Sequence, residues 1–209
     1  MADSTSDLNI IRTAGWPVVA IALASSIYFS TNLSAVLVYD RSAIISGELW
    51  RLITGHWVHF STSHLIYDVI VLAITGWIIT SSGYRYLTAL YLLSSLFISL
   101  VLFVMLPDMA FYGGLSGIAM ASTVYLSLQF MRKPPPWDRV GLLIFLLCIG
   151  KLFFDASVSR FALAAFDKDF IVPVYLSHLT GAICGFVVYL WSAFDLSHYF
   201  LQPEQTFRK

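Results

Sequence analysis

Residues 87–106 read LTALYLLSSLFISLVLFVML, a run of twenty residues without a charged side chain. A helix of about this length crosses the hydrocarbon core of a bilayer. The rest of the chain is of the same kind, since 58% of its 209 residues are apolar and only 11% are charged. Its mean hydropathy is +0.79. Soluble domains carry about 25% charged residues, so lipid is the main solvent of this protein.

Five further apolar stretches predict an all-α polytopic membrane protein with six transmembrane helices. The predicted spans are 15–38, 64–80, 87–106, 114–131, 139–154 and 173–194. The domain limits that follow are an N-terminal segment 1–14, a membrane domain 15–194 with an interfacial outer loop at 39–63, and a C-terminal tail 195–209.

The loop charges predict that both termini are cytoplasmic. One side holds seven basic residues and the other holds four, and the richer side faces the cytoplasm. The seven are Arg12, Arg85, Arg132, Lys133, Arg139, Arg208 and Lys209, and the four are Arg41, Arg51, Arg160 and Lys168. The formal net charge is zero without any basic run, so a nucleic-acid partner is not expected.

Polar side chains gather at the outer ends of three predicted spans. His64 and Asp68 lie in the first turns of the second span, Ser116 begins the fourth, and His178 lies near the start of the sixth. Even-numbered spans run from outside to inside in this topology, so all four lie at one shallow depth. Ionisable groups within spans are costly and therefore point to function. A small transporter is disfavoured because such groups are missing at mid-span.

The segment FYGGLSGIAMAS, 111–122, surrounds Ser116 with Gly113, Gly114 and Gly117. Amides at the start of a helix lack intrahelical partners and can stabilise an oxyanion. Small residues also serve close packing of membrane helices, so this pattern needs a base before it indicates a nucleophile.

The segment SHLTGAICG, 177–185, places His178, Gly181 and Gly185 on one helical face. If the glycines let this face approach the fourth span, His178 comes within reach of Ser116, as a general base requires. The alternative is a histidine that packs and hydrogen-bonds to a neighbouring helix.

The segment GHWVHFSTSHLIYD, 55–68, contains three histidines and places His64 and Asp68 one helical turn apart. A histidine cluster also suggests a metal, but the HExxH spacing is absent from this segment and no metal site is predicted. For His56 and His59 the favoured role is ordering the loop.

Together these residues resemble the rhomboid family, from the outer loop to the last span. Trp50-Arg51 resembles the family's first-loop motif, an aromatic residue followed by arginine. His59, His64 and Asp68 resemble the family's HxxxxHxxxN pattern. The GxSG motif resembles Gly114 to Gly117, and the AHxxGxxxG motif resembles Ser177-His178, Gly181 and Gly185.

The resemblance implies an intramembrane serine protease with a Ser116–His178 dyad, without an acidic third member and without a cofactor. His64, Asp68 and Gly117 belong to the implied oxyanion and electrostatic site. The implied supporting residues are Arg51, His59, Gly114, Gly181 and Gly185.

Asp68 departs from the family pattern, which has asparagine there. An ionised carboxylate would repel an oxyanion that an amide would bind. One hypothesis is that Asp68 pairs with His64 and holds it charged. The departure also leaves room for an inactive relative that binds membrane helices without cleaving them.

The short six-span core and the loop sequence WRLITGHWVH, 50–59, look most like the bacterial rhombosortase branch. This implies an inner-membrane protein whose active site faces outward. Its substrates would be transmembrane proteins released at a C-terminal glycine-rich anchor.

Two further features lie at the outer end of the fifth span and just after it. Lys151 and Asp155 are predicted to form a structural pair, being four residues apart. The segment 155–172 is a candidate cap over the site.

Overall fold

The computed structural model describes residues 4–84, 86–165 and 172–194, and helices dominate this part of the chain. The α-helices are α1 Ser4–Tyr28, α2 Thr31–Leu37, α3 Arg41–Ile45, α4 Arg51–Thr54, α5 Thr62–Ser81, α6 Leu87–Met105, α7 Ser116–Met131, α8 Trp137–Ala165 and α9 Val172–Phe194. The predicted all-α polytopic class is confirmed. The predicted tail 195–209 and the end of the candidate cap, 166–171, lie outside the described residues.

Four helices in the described part are long and apolar enough to cross a membrane. They are Thr62–Ser81, Leu87–Met105, Trp137–Val158 and Tyr175–Phe194. Large apolar side chains on their outer faces, such as Leu147 and Phe153 of α8, remain exposed on the protein surface and are suited to lipid.

The first predicted span, 15–38, is wrong as a single helix. α1 ends at Tyr28, and the chain bends by 101° into α2. The Ser30 hydroxyl accepts a hydrogen bond from the Leu33 backbone N–H and so caps the start of α2. α1 and α2 make a fifth crossing only if they are counted together.

α7 has 16 residues and would span about 24 Å, less than a full hydrocarbon core. It packs against α5, α6, α8 and α9, and nearly all of its residues are buried. Since neighbouring helices cover it, α7 can consist largely of small and weakly polar residues without exposing them to lipid.

α9 packs on α7 through glycine, as the sequence predicts. A Cβ atom at Gly181 would overlap the carbonyl oxygen of Gly117, and one at Gly185 would overlap that of Ala121. The two backbones therefore touch where larger side chains would separate them.

A short pair of β-strands, which the sequence does not predict, connects the outer loop to the segment before α7. β1, Tyr39–Asp40, pairs antiparallel with β2, Phe111–Tyr112. Arg51 adds bonds from its Nη1 atom to the carbonyl oxygens of Ala35 and Val38, at 3.0 and 2.8 Å. The segment before Ser116 is thus anchored to the loop.

Candidate active site

Ser116 is the first residue of α7 and is half-buried. The first bond from this turn to the preceding loop runs from the Ala119 N–H to the Leu115 carbonyl. The amides of Ser116 and Gly117 have no hydrogen-bond acceptor among the described residues, and no side chain caps this helix end. These amides are donors available to an oxyanion.

The turn before Ser116 depends on two glycines. Gly114 has a φ of +133°, and a Cβ atom there would lie 2.6 Å from Cε1 of His64. A Cβ atom at Gly113 would lie 2.6 Å from the Val58 carbonyl oxygen. The backbone of this turn therefore packs against the outer loop and the His64 imidazole, with no room for a Cβ atom at either glycine.

His178 is buried in α9 and faces an acid on α8. Its Nδ1 atom lies 2.7 Å from Oδ2 of Asp155. A carboxylate accepts, so we assign the proton to Nδ1, which leaves Nε2 with a lone pair. That Nε2 atom is buried and has no hydrogen-bond partner in the described part of the chain.

The backbone next to His178 contacts the backbone next to Ser116. A Cβ atom at Gly117 would lie 2.9 Å from the carbonyl oxygen of Ser177. The packing of α9 on α7 thus places an imidazole with an unoccupied Nε2 beside the start of α7, where Ser116 lies.

Asp155 also contacts Lys151, whose Nζ atom lies 3.1 Å from each carboxylate oxygen. The predicted Lys151–Asp155 pair is confirmed. The expectation that His178 has no acidic partner is wrong in its geometry, because Oδ2 of Asp155 contacts both Lys151 and His178.

Asp68 is buried in α5 between two histidines. Its Oδ2 atom lies 3.2 Å from Nε2 of His59 and 3.1 Å from Nε2 of His64. The hypothesised contact with His64 is present, and the contact with His59 was not foreseen. The contact of His59 with this oxygen has the geometry of a hydrogen bond, and the contact of His64 is at ion-pair distance.

The hydrogen bonds of His59 constrain where the protons of this cluster lie. Its Nδ1 atom lies 3.1 Å from the carbonyl oxygen of Trp57, so Nδ1 donates. The Nε2 contact with Asp68 then requires a further proton, carried either by a cationic His59 or by the acid.

Two buried residues support the site: His56, for which the sequence predicts a role in ordering the loop, and Tyr112 of β2, for which it predicts none. His56 is fully buried, and its Nε2 atom lies 2.9 Å from the Ser95 carbonyl oxygen and 3.1 Å from Oγ of Ser99, both on α6. Burial lowers the pKa of His56 to about 4. Tyr112 donates from its hydroxyl to the Gly114 carbonyl at 3.4 Å, and burial raises the pKa of Tyr112.

The structure brings the serine, the second-span cluster and His178 around the start of α7, whereas Arg51 lies in the loop. The family model of the Rhomboid domain matches residues 46–194, from the outer loop through α9. A search of curated proteins finds no significant match. Because the family model covers most of the chain, including every helix that forms the site, the chain belongs to the Rhomboid family of intramembrane serine proteases and is an integral membrane protein.

Proposed function

We propose that this protein is an active intramembrane serine endopeptidase with Ser116 as nucleophile and His178 as general base. The observation that carries the proposal is the state of His178. Its Nδ1 atom bonds to Asp155, while its Nε2 atom is buried and unpaired among the described residues beside the start of α7. His56 also has an unpaired buried nitrogen, Nδ1, in the described part of the chain; what distinguishes His178 is the carboxylate bound to its Nδ1 together with its place beside the start of α7.

The proposed reaction uses this histidine twice. Nε2 of His178 accepts the hydroxyl proton as Oγ of Ser116 attacks the scissile carbonyl carbon. The proton then passes to the leaving amine as the C–N bond breaks, which leaves an acyl ester on Ser116. His178 next takes a proton from water as the water attacks the ester, and returns it to Ser116 Oγ as the bond between Oγ and the acyl carbon breaks and the new carboxyl end is released.

The oxyanion of each tetrahedral intermediate would be held by the backbone amides of Ser116 and Gly117. His64 would add a positive field, since it lies against Gly114 and shares Asp68 with His59. In this arrangement Asp68 acts by holding His64 charged and does not itself contact the oxyanion. A carboxylate at position 68 therefore does not have to repel the oxyanion.

The proposed substrates are membrane-anchored proteins cut near the outer end of a transmembrane helix. Glycine near such an end loosens the helix and exposes a backbone carbonyl. The rhombosortase resemblance favours a C-terminal anchor made of a glycine-rich motif, a hydrophobic helix and a basic tail. It also favours a bacterial inner membrane, cytoplasmic termini and an active site that opens outward.

The alternative function is binding of membrane helices without cleavage. It is weakened by the site itself, since a binding protein has no need for a buried histidine bonded to a carboxylate beside a serine. Reconstitution distinguishes the two functions.

The test uses proteoliposomes that contain the protein and a model substrate with such an anchor. A matched substrate replaces its glycines by leucine and alanine. The proposal expects a cut mapped by mass spectrometry to the outer end of the first anchor, slower cleavage of the matched substrate, and no cleavage by Ser116→Ala or His178→Ala. Cleavage that persists in Ser116→Ala, or a wild type that binds the anchor and never cuts it, would contradict the proposal.

A further inference from the structure

We infer that Asp155 is a positioning residue of the active site, which holds His178 in the tautomer whose Nε2 accepts the proton of Ser116. The inference rests on the protease function proposed above. Asp155 would then be the third member of a Ser116–His178–Asp155 triad, in place of the dyad that the resemblance implies.

The contact between Asp155 and His178 is the first support. The separation of 2.7 Å between Oδ2 and Nδ1 is that of a short, charge-assisted hydrogen bond. Both side chains are buried, with 9% and 4% of their surface exposed. A bond of this kind orients the imidazole ring and decides which of its nitrogens carries the proton.

The direction of the bond is the second support. Nδ1 faces the carboxylate, so Nε2 is the nitrogen left to act, and Nε2 is the atom without a partner in the described structure. When Nε2 takes the proton of Ser116, the imidazolium that forms stays bonded to a carboxylate. Asp155 therefore stabilises the charge that the reaction creates.

Lys151 offsets the free-energy cost of burying the Asp155 carboxylate at this depth. Its Nζ atom contacts both oxygens of Asp155, and half of its side-chain surface is exposed, so the stem can extend toward the membrane surface. Without Asp155, the ammonium of Lys151 would remain on α8 without its carboxylate partner and would oppose protonation of His178.

A purely structural Lys151–Asp155 pair is the competing interpretation, and the chain offers a matched comparison. If Asp155 matters only as the partner of Lys151, Asp155→Asn and Lys151→Gln should lower turnover equally. If Asp155 positions His178, only Asp155→Asn replaces the carboxylate acceptor at Nδ1 by an amide, whose NH2 group can donate to Nδ1 and so favours the tautomer with the proton on Nε2. We expect Asp155→Asn to lower kcat by about 10²- to 10⁴-fold with a small change in KM, by analogy with the wrong tautomer in other serine proteases. For Lys151→Gln we expect a loss below about tenfold.

The experiment measures kcat, KM and the rate of fluorophosphonate labelling for wild type and both variants in the same detergent. Thermal unfolding reports whether each variant folds. Nitrogen-15 histidine NMR of the wild type gives the tautomer, with the His178 signals assigned by their loss in His178→Ala. The expected spectrum shows a protonated Nδ1 and an unprotonated Nε2 for His178.

The results separate this inference from the function on which it rests. Equal turnover of Asp155→Asn and wild type, or equal losses in the two variants, would overturn the role of Asp155 while labelling of wild-type Ser116 still supports the protease. If Asp155→Asn does not fold, the wild-type spectrum decides, and a protonated Nε2 overturns the inference. A wild type that neither labels nor cleaves overturns the proposed function itself.

Discussion

Gly181 of α9 lies against the carbonyl oxygen of Gly117 in α7, so closely that any Cβ atom at position 181 would overlap it. His178 lies one helical turn before Gly181, and Ser116 directly precedes Gly117. The glycine contact therefore fixes the distance between the two helices that carry the proposed base and nucleophile.

Replacing Gly181 by alanine is expected to push α9 away from α7. Overpacking of this kind typically costs about 1–3 kcal/mol of stability, and the shift of His178 should abolish most cleavage. Gly150→Ala is the matched control, since a Cβ atom there has nothing within 4 Å and alanine favours a helix. Unfolding and cleavage assays check both variants. Full activity in Gly181→Ala would show that the helices do not need this contact.

Gly114→Ala is expected to disturb His64, because the new Cβ atom would lie 2.6 Å from its ring. Strain at positive φ is a separate cost, and Gly47→Ala controls for it. Gly47 has a φ of +106° with nothing within 4 Å of a Cβ atom. We expect both variants to lose stability and only Gly114→Ala to lose kcat, by about 10²-fold for a displacement near 1 Å. Equal kcat values in the two variants would remove His64 and the turn from the mechanism.

Asp68→Asn tests whether the acid acts through His64. An amide cannot hold a charged imidazole as a carboxylate does, so kcat should fall by about tenfold while KM changes little. Asp108→Asn, which removes an exposed carboxylate from the loop between α6 and α7, should leave both constants unchanged. Steady-state cleavage in detergent measures the effect. Unchanged or faster turnover by Asp68→Asn would mean that the acid is not required.

The lowered pKa of His56 makes the stability of the folded protein depend on pH. Its pKa is about 4 in the folded protein and about 6.5 when unfolded, so the unfolded state binds the proton first as the pH falls. The contribution of neutral His56 to the free energy of unfolding is therefore complete above pH 6.5. It falls by about 1.4 kcal/mol per pH unit as the pH is lowered toward 4. His56→Gln should lack this part of the pH dependence. Reversible unfolding in mixed micelles measures it, and parallel curves for the two proteins would contradict the assignment.

The sequence predicts most helix limits because uninterrupted apolar runs set them. Predicted spans 64–80 and 87–106 correspond to helices Thr62–Ser81 and Leu87–Met105. Two predicted spans differ from the helices: α8 continues past the predicted end at 154 to Ala165, into the candidate cap, and 15–38 contains a bend where apolar and hydroxyl residues alternate. A hydroxyl both tolerates a helix and caps the start of a new one, so hydropathy alone cannot locate the bend at Ser30.

The polar contacts between separate segments are what sequence patterns missed. Asp155 and Lys151 are one turn apart, and that local pair explained the acid without any reference to His178, which is 23 residues further along. His59 and Asp68 are nine residues apart across a helix start, so no periodicity relates them. Such contacts depend on how helices and loops pack, which spacing along the chain does not encode.

The most direct test of the account is a fluorophosphonate probe applied to the protein in native membranes, followed by peptide mapping. We expect a single labelled serine, Ser116, with labelling lost in Ser116→Ala and strongly slowed in His178→Ala. Absence of label on the wild type, or equal label on Ser116→Ala, would contradict the assignment of Ser116 as the nucleophile.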